Sequence, residues 1–192
     1  MSNKTFSYFL AAGWAENRWK THQLLDGLEE AGGIAVNDIH SAAVIIAHSA
    51  GGHVIPSIIK AKLIVLIAPS FVVDQPYMIS VLEEYVMDTI YYFRRFLIYP
   101  WLLKNIYYLF FGIFHPVRTF QIYKKVRQPL AIDELKNYRV LLIRNKNDFF
   151  CSPKISQLTQ KYKNINFVEL PGRHDNCWID PQPYVDLILK EL

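Results

Sequence analysis

The chain has little cysteine, no unbroken apolar run long enough to span a bilayer, and none of the common cofactor signatures. Two cysteines in 192 residues are too few for a disulfide scaffold and fit a reduced, cytoplasmic setting. The start, Met1-Ser2-Asn3-Lys4-Thr5-Phe6, lacks the apolar stretch and small-residue cleavage site of a secretory signal. No His, Cys or Asp cluster has metal-ligand spacing, and there is no G-x-G-x-x-G or P-loop pattern. Neither a metal nor an organic cofactor is therefore expected. A net charge of +4 is too small to imply a nucleic-acid partner by itself. Internal repeats and low-complexity tracts are absent as well.

What is present reads as one domain with a sizeable core, at 52% apolar and 20% charged residues. Residues 77–130 stand apart. They hold seven basic side chains against three acidic ones, which accounts for the whole net charge, and 15 of the 28 aromatics. The apolar stretch 96–114 within them is interrupted by Pro100, Lys104 and Asn105. A membrane span there would also put the two halves of the chain on opposite sides of the bilayer. The expectation is a helical insertion, with a helix over 81–96 carrying Glu84, Asp88 and Arg95 as a polar stripe. Its apolar faces would bury against the sheet edge. Its mixture of aromatic and basic residues would also suit peripheral membrane contact, with Arg94, Arg95, Lys124, Lys125 and Arg127 as first candidates.

On either side of this insertion, strand and helix signals alternate, as in a parallel sheet covered by helices. Strands are expected over 5–12, 42–47, 63–68, 138–144 and 165–170. Helices are expected over 16–31, 50–61 and 154–163, with a C-terminal one from Asp180-Pro181 onward. Ser152-Pro153 supplies an N-cap and first-turn pair for the third of these.

The most informative stretch is Val44-Ile45-Ile46-Ala47-His48-Ser49-Ala50-Gly51-Gly52-His53. A buried strand runs into a serine, then small residues, then a helix. A serine there sits on a sharp turn at the C-terminal edge of the sheet, and small neighbours let strand and helix pass close by. Ala47 takes the first glycine's place in G-x-S-x-G. Asp148 and His174 each follow a later strand by a few residues, so both fall on the edge that holds Ser49. The order Ser, Asp, His along the chain agrees with a nucleophile, an orienting acid and a base.

In these features the chain resembles the α/β-hydrolase family, as a small serine-esterase-like member. The matching residues are Ala47-His48-Ser49-Ala50-Gly51, the strand ending near Asp148, and Pro171-Gly172-Arg173-His174. The resemblance covers roughly 1–75 and 135–192. It implies a core of 1–76 and 131–192 with 77–130 as a cap or lid. The fold implied is a reduced, mostly parallel α/β-hydrolase-like sheet flanked by helices, with five or six strands, since 33–41 is short for a strand-plus-helix unit. It further implies a Ser49–His174–Asp148 triad, with oxyanion donors from the backbone N–H groups of Ala50 and of Trp14, or alternatively Ala15. The activity implied is hydrolysis of an ester or thioester with an apolar acyl part, and the partner a small-molecule acyl ester. A non-catalytic binding or membrane-associated protein on the same fold is the alternative, and acyl transfer to another acceptor would use the same residues.

Other residues have plainer readings. His48 packs under the turn, while His53 is a candidate for the substrate pocket. Asp175, adjacent to His174, cannot easily turn its carboxylate onto that ring, which favours Asp148 as the acid. Cys151 and Cys177 read as small buried thiols.

Overall fold

The computed structural model describes residues 5–14, 16, 18–55, 60–71, 77–94, 96–126, 128 and 132–192. Ala15, Arg95 and Arg127 lie outside the described residues.

Six strands form one sheet: β1 (Phe6–Ala11), β2 (Gly33–Ala35), β3 (Val44–His48), β4 (Leu63–Ile67), β5 (Val140–Asn145) and β6 (Ile165–Leu170). Their spatial order is β2-β1-β3-β4-β5-β6 and every pairing is parallel. The central strands β3, β4 and β5 are buried along their whole lengths. That is why Val-Ile-Ile-Ala, Leu-Ile-Val-Leu-Ile and Val-Leu-Leu-Ile read as continuous apolar runs rather than alternating ones.

Side chains still alternate between two cores, because successive residues of a strand point to opposite faces. Val44, Ile46, Val65, Leu141 and Ile143 pack on one face. They meet Leu24 and Leu28 of α1 (Arg18–Glu30), Trp178 of α6 (Asn176–Ile179), and Tyr184 and Ile188 of α7 (Gln182–Lys190). Ile45, Ala47, Leu66 and Leu142 pack on the other face, against Ile155 of α5 (Ile155–Thr159) and against Ile132 and Leu135.

Between β4 and β5 the chain forms three helices: α2 (Tyr77–Arg94), α3 (Ile98–Phe114) and α4 (Pro116–Val126). Among their described residues only Ser80 and Val126 are buried. No helix among the described residues is long and apolar enough to cross a membrane.

Several expectations need correction. The helix expected over 50–61 is replaced by tight 3-10 turns over Ser49–Val54. Two adjacent glycines weaken regular helix there, and Pro56 disfavours helical geometry at Ile55, which is extended. Residues 56–59 lie outside the described residues. The helix expected over 154–163 is only Ile155–Thr159, and its N-cap is Lys154 rather than the expected Ser152, whose Oγ accepts the Lys154 N–H at 3.3 Å. The first helix begins at Arg18 and leaves Glu16 in the preceding loop. The expected burial of the 81–96 helix's apolar face also fails: Glu84 and Asp88 face inward, while Ile79, Leu82, Val86 and Ile90 face outward.

Candidate active site

In chain order β1 leads to the edge strand β2, after which the chain returns to the opposite side of β1 as β3. The direction of winding therefore reverses between β1 and β3. In an open parallel sheet, this reversal leaves a crevice at the strands' carboxyl ends. The loop after β1 and the turn after β3 flank that crevice.

Ser49 is the residue directly after β3 and has φ of 53°, in the left-handed region that a β-carbon normally avoids. Close packing enforces the turn. A methyl group on Gly51 would lie 1.9 Å from the Ala11 carbonyl oxygen, so no larger residue fits there. A methyl group on Gly13 would lie 3.0 Å from Ser49 Cβ, which puts the loop after β1 directly beside the serine. Ser49 Oγ lies 3.2 Å from Ser70 Oγ, and the Ser70 N–H donates to the Ser49 carbonyl.

His174 and Asp148 come together on the same edge. His174 Nδ1 lies 3.0 Å from both carboxylate oxygens of Asp148. Both residues are buried. The Asp148 carboxylate is held in turn by the N–H groups of Phe150, at 2.8 Å, and Cys151, at 3.2 Å. The His174 loop is anchored from below: Asn145 Nδ2 donates to the Arg173 carbonyl at 2.6 Å, and Tyr184 O–H donates to Asn145 Oδ1. Gly172, with φ of 121°, turns the chain into this loop.

Asp175 comes within 4.8 Å of a His174 ring nitrogen, but the hydrogen bond to Nδ1 is made by Asp148. It pairs with Lys20 at 3.0 Å and Lys104 at 3.6 Å, and these two cations outweigh burial to hold its carboxyl well below the ordinary range. His53 Nε2 bonds the Ser70 carbonyl at 2.8 Å, behind the serine turn. Cys151 and Cys177 are buried free thiols, and burial pushes both upward in pKa. Trp14 stands on the loop beside Ser49, its indole N–H donating to Thr119 at 3.1 Å and its ring packed on Tyr108 and Phe111. Ala50 follows the serine within the tight turn.

Glu16 escaped the sequence analysis. Its carboxylate accepts the Gly13 N–H and pairs with His48 Nδ1, both fully buried. His48 Nε2 meets the His174 carbonyl at 3.0 Å. One buried pair thus joins the loop after β1, the serine turn and the histidine loop. The spacing of Glu16 from a strand end carries no signal that would single it out. Ser70 was missed too; its clue is its position just past buried β4, on the edge that holds the other groups. Among the described residues, His48, His174 and Asp175 offer the one grouping close enough for a metal. The His48 ring nitrogens already face Glu16 and the His174 carbonyl, which argues for structural use.

No protein-family model matches the chain, and no curated protein matches its sequence. Solved structures do match. An enol-lactonase from Burkholderia xenovorans is 11% identical with a TM-score of 0.67, over 97% of this chain and 91% of that one. A structure from work on carboxylesterases of Nitrososphaera gargenis is 14% identical at 0.60, over 98% and 90%. A thioesterase domain from the curacin biosynthetic pathway is 12% identical at 0.57, over 98% and 92%. The chain has the α/β-hydrolase fold. Ser49, with its left-handed φ, lies at the turn directly after β3, and Asp148 and His174 lie in the loops after β5 and β6.

Proposed function

We propose that the protein is a serine hydrolase that cleaves an ester or thioester with an apolar acyl part through an acyl-enzyme. The observation that carries this reading is the left-handed Ser49 at the end of β3, on the same sheet edge as a buried His174–Asp148 couple. Asp148 accepts from Nδ1, which leaves Nε2 of His174 as the base. When a carbonyl enters the crevice, Ser49 Oγ turns from Ser70 toward Nε2 and attacks. His174 takes the proton and returns it to the leaving group, and Asp148 stabilises the imidazolium. The developing oxyanion is met by the backbone N–H of Ala50 and that of Trp14. The Gly13 N–H is already committed to Glu16, which supports Trp14 as the donor from that loop. Water then resolves the acyl-enzyme.

Two features support the substrate class. Aromatic rings lie near the catalytic loops: Phe150 is 4.8 Å from the His174 ring, and Trp14, one residue after Gly13 on the loop beside Ser49, packs its ring on Tyr108 and Phe111. The similar structures named as carboxylesterase, thioesterase, enol-lactonase and deformylase all belong to acyl chemistry at a carbonyl. In this reading α2 to α4 form a cap over the crevice.

Covalent labelling by a fluorophosphonate, with turnover of an ester series of rising chain length, tests the proposal. Ser49→Ala abolishes both, and His174→Ala abolishes turnover. Asp148→Asn lowers turnover by about 10⁴, the size of the tautomer effect in serine proteases. Undiminished labelling of Ser49→Ala would sink the assignment, and labelling without turnover would favour transfer to an acceptor other than water.

A further inference from the structure

The three-helix segment turns its acids inward and its apolar side outward. Glu84 and Asp88 both reach Arg173, each at 2.8 Å, and Asp88 also binds Lys104. On the outer side, α2 exposes Leu82, Val86, Ile90 and Phe93, and α3 exposes Leu102, Ile106, Leu109 and Ile113. Both sets recur every three or four residues, so each is a single continuous helix face. The turn between the helices presents Phe96, 90% exposed and at φ of 55°. Water-facing turns favour Gly, Asn or Asp at such a φ, and a monomer rarely exposes an apolar face on this scale.

We infer that this face docks on the surface of an anionic lipid bilayer. Charge decides between lipid and a second copy of the chain. Among the described residues, the segment's exposed ionic side chains are Arg94, Arg118, Lys124 and Lys125, all positive. Among the described residues none of these four pairs with a carboxylate. Arg118 and Lys124 lie instead over the rings of Phe111 and Phe120, at 5.5 and 4.6 Å. Glu83, the remaining acid, is half-buried. Facing copies would oppose these cations, whereas anionic headgroups complement them while acyl chains cover the apolar faces. A 17-residue α3 is about 25 Å long, and it lies along the interface rather than crossing it.

Co-sedimentation of the full chain with phosphatidylglycerol–phosphatidylcholine vesicles tests it. Binding is expected at low salt, and it weakens at least about tenfold at high salt or on phosphatidylcholine alone. Leu102→Gln with Leu109→Gln weakens it by a similar factor, as does joint replacement of Arg118, Lys124 and Lys125 by Gln. Melting transitions like the parent's show that both variants remain folded. Absence of binding at low salt would overturn the inference. So would binding indifferent to salt and to both variants. A concentration-dependent dimer without vesicle binding, lost in the leucine variant, would assign the face to a second copy instead.

Discussion

His48 has an acceptor at each ring nitrogen, the Glu16 carboxylate at Nδ1 and the His174 carbonyl at Nε2, so the ring is held as an imidazolium. Burial alone would draw its pKa down, but the Glu16 carboxylate outweighs this and holds it well above the ordinary range. Burial likewise pushes Glu16 up, and the imidazolium outweighs it and leaves the carboxyl below its ordinary value. The signs follow from linkage. Glu16 stabilises the fold above its unfolded value of 4.5 and loses that contribution as pH falls. His48 stabilises fully below 6.5 and loses its contribution only as pH rises through its raised value. Breaking the pair strands a buried charge, so Glu16→Leu alone should cost about 3–5 kcal/mol. Replacing both residues together, Glu16→Leu with His48→Leu, removes both desolvation penalties and should cost clearly less than the two single changes summed. Urea unfolding of the four proteins in the cycle measures this. Additive single changes would show that the two side chains do not act as a pair.

At the scale of elements, α2 is fastened to the histidine loop through Glu84, Asp88 and Arg173. Burial raises the Glu84 carboxyl from 4.5 to about 7, against the opposing pull of His174 and Arg173. Glu84 Oε2 and Arg173 Nε are buried without hydrogen-bond partners, which agrees with an imperfectly compensated charge. Because the folded state holds this proton more tightly than the unfolded chain, stability falls as pH rises from 4.5 to 7. Glu84→Gln removes the titration. Its stability relative to the parent should therefore rise across that window, by on the order of 2 kcal/mol after allowance for partial exposure. Denaturant midpoints at pH 5, 6 and 7 check it, and a difference that stays flat with pH would contradict the burial argument. The 3.6-residue stripe of α2 was legible in the sequence, but its direction was not. Period fixes which residues share a face. Only the position of Arg173, on a loop 89 residues away from Glu84, decides that the charged face turns inward.

For the whole molecule, stability should be unevenly spread. The strands β3, β4 and β5 are wholly buried, whereas the segment from α2 to α4 buries only Ser80 and Val126 among its described residues. Local opening follows local burial. Amide hydrogen exchange should therefore show the greatest protection in β3 to β5 and markedly earlier exchange across 77–126; uniform protection would refute this. The parallel sheet is legible in the continuous apolar strands, which need burial on both faces, and so is the order of Ser49, Asp148 and His174 on one edge. The sequence also marked 77–130 as compositionally distinct. Tertiary structure alone decided the Glu16–His48 pair, the commitment of Asp175 to Lys20 and Lys104, and the outward apolar face of α2 and α3. Those outcomes depend on long-range proximity in three dimensions, and neither local propensity nor periodicity encodes which distant charge a side chain will meet.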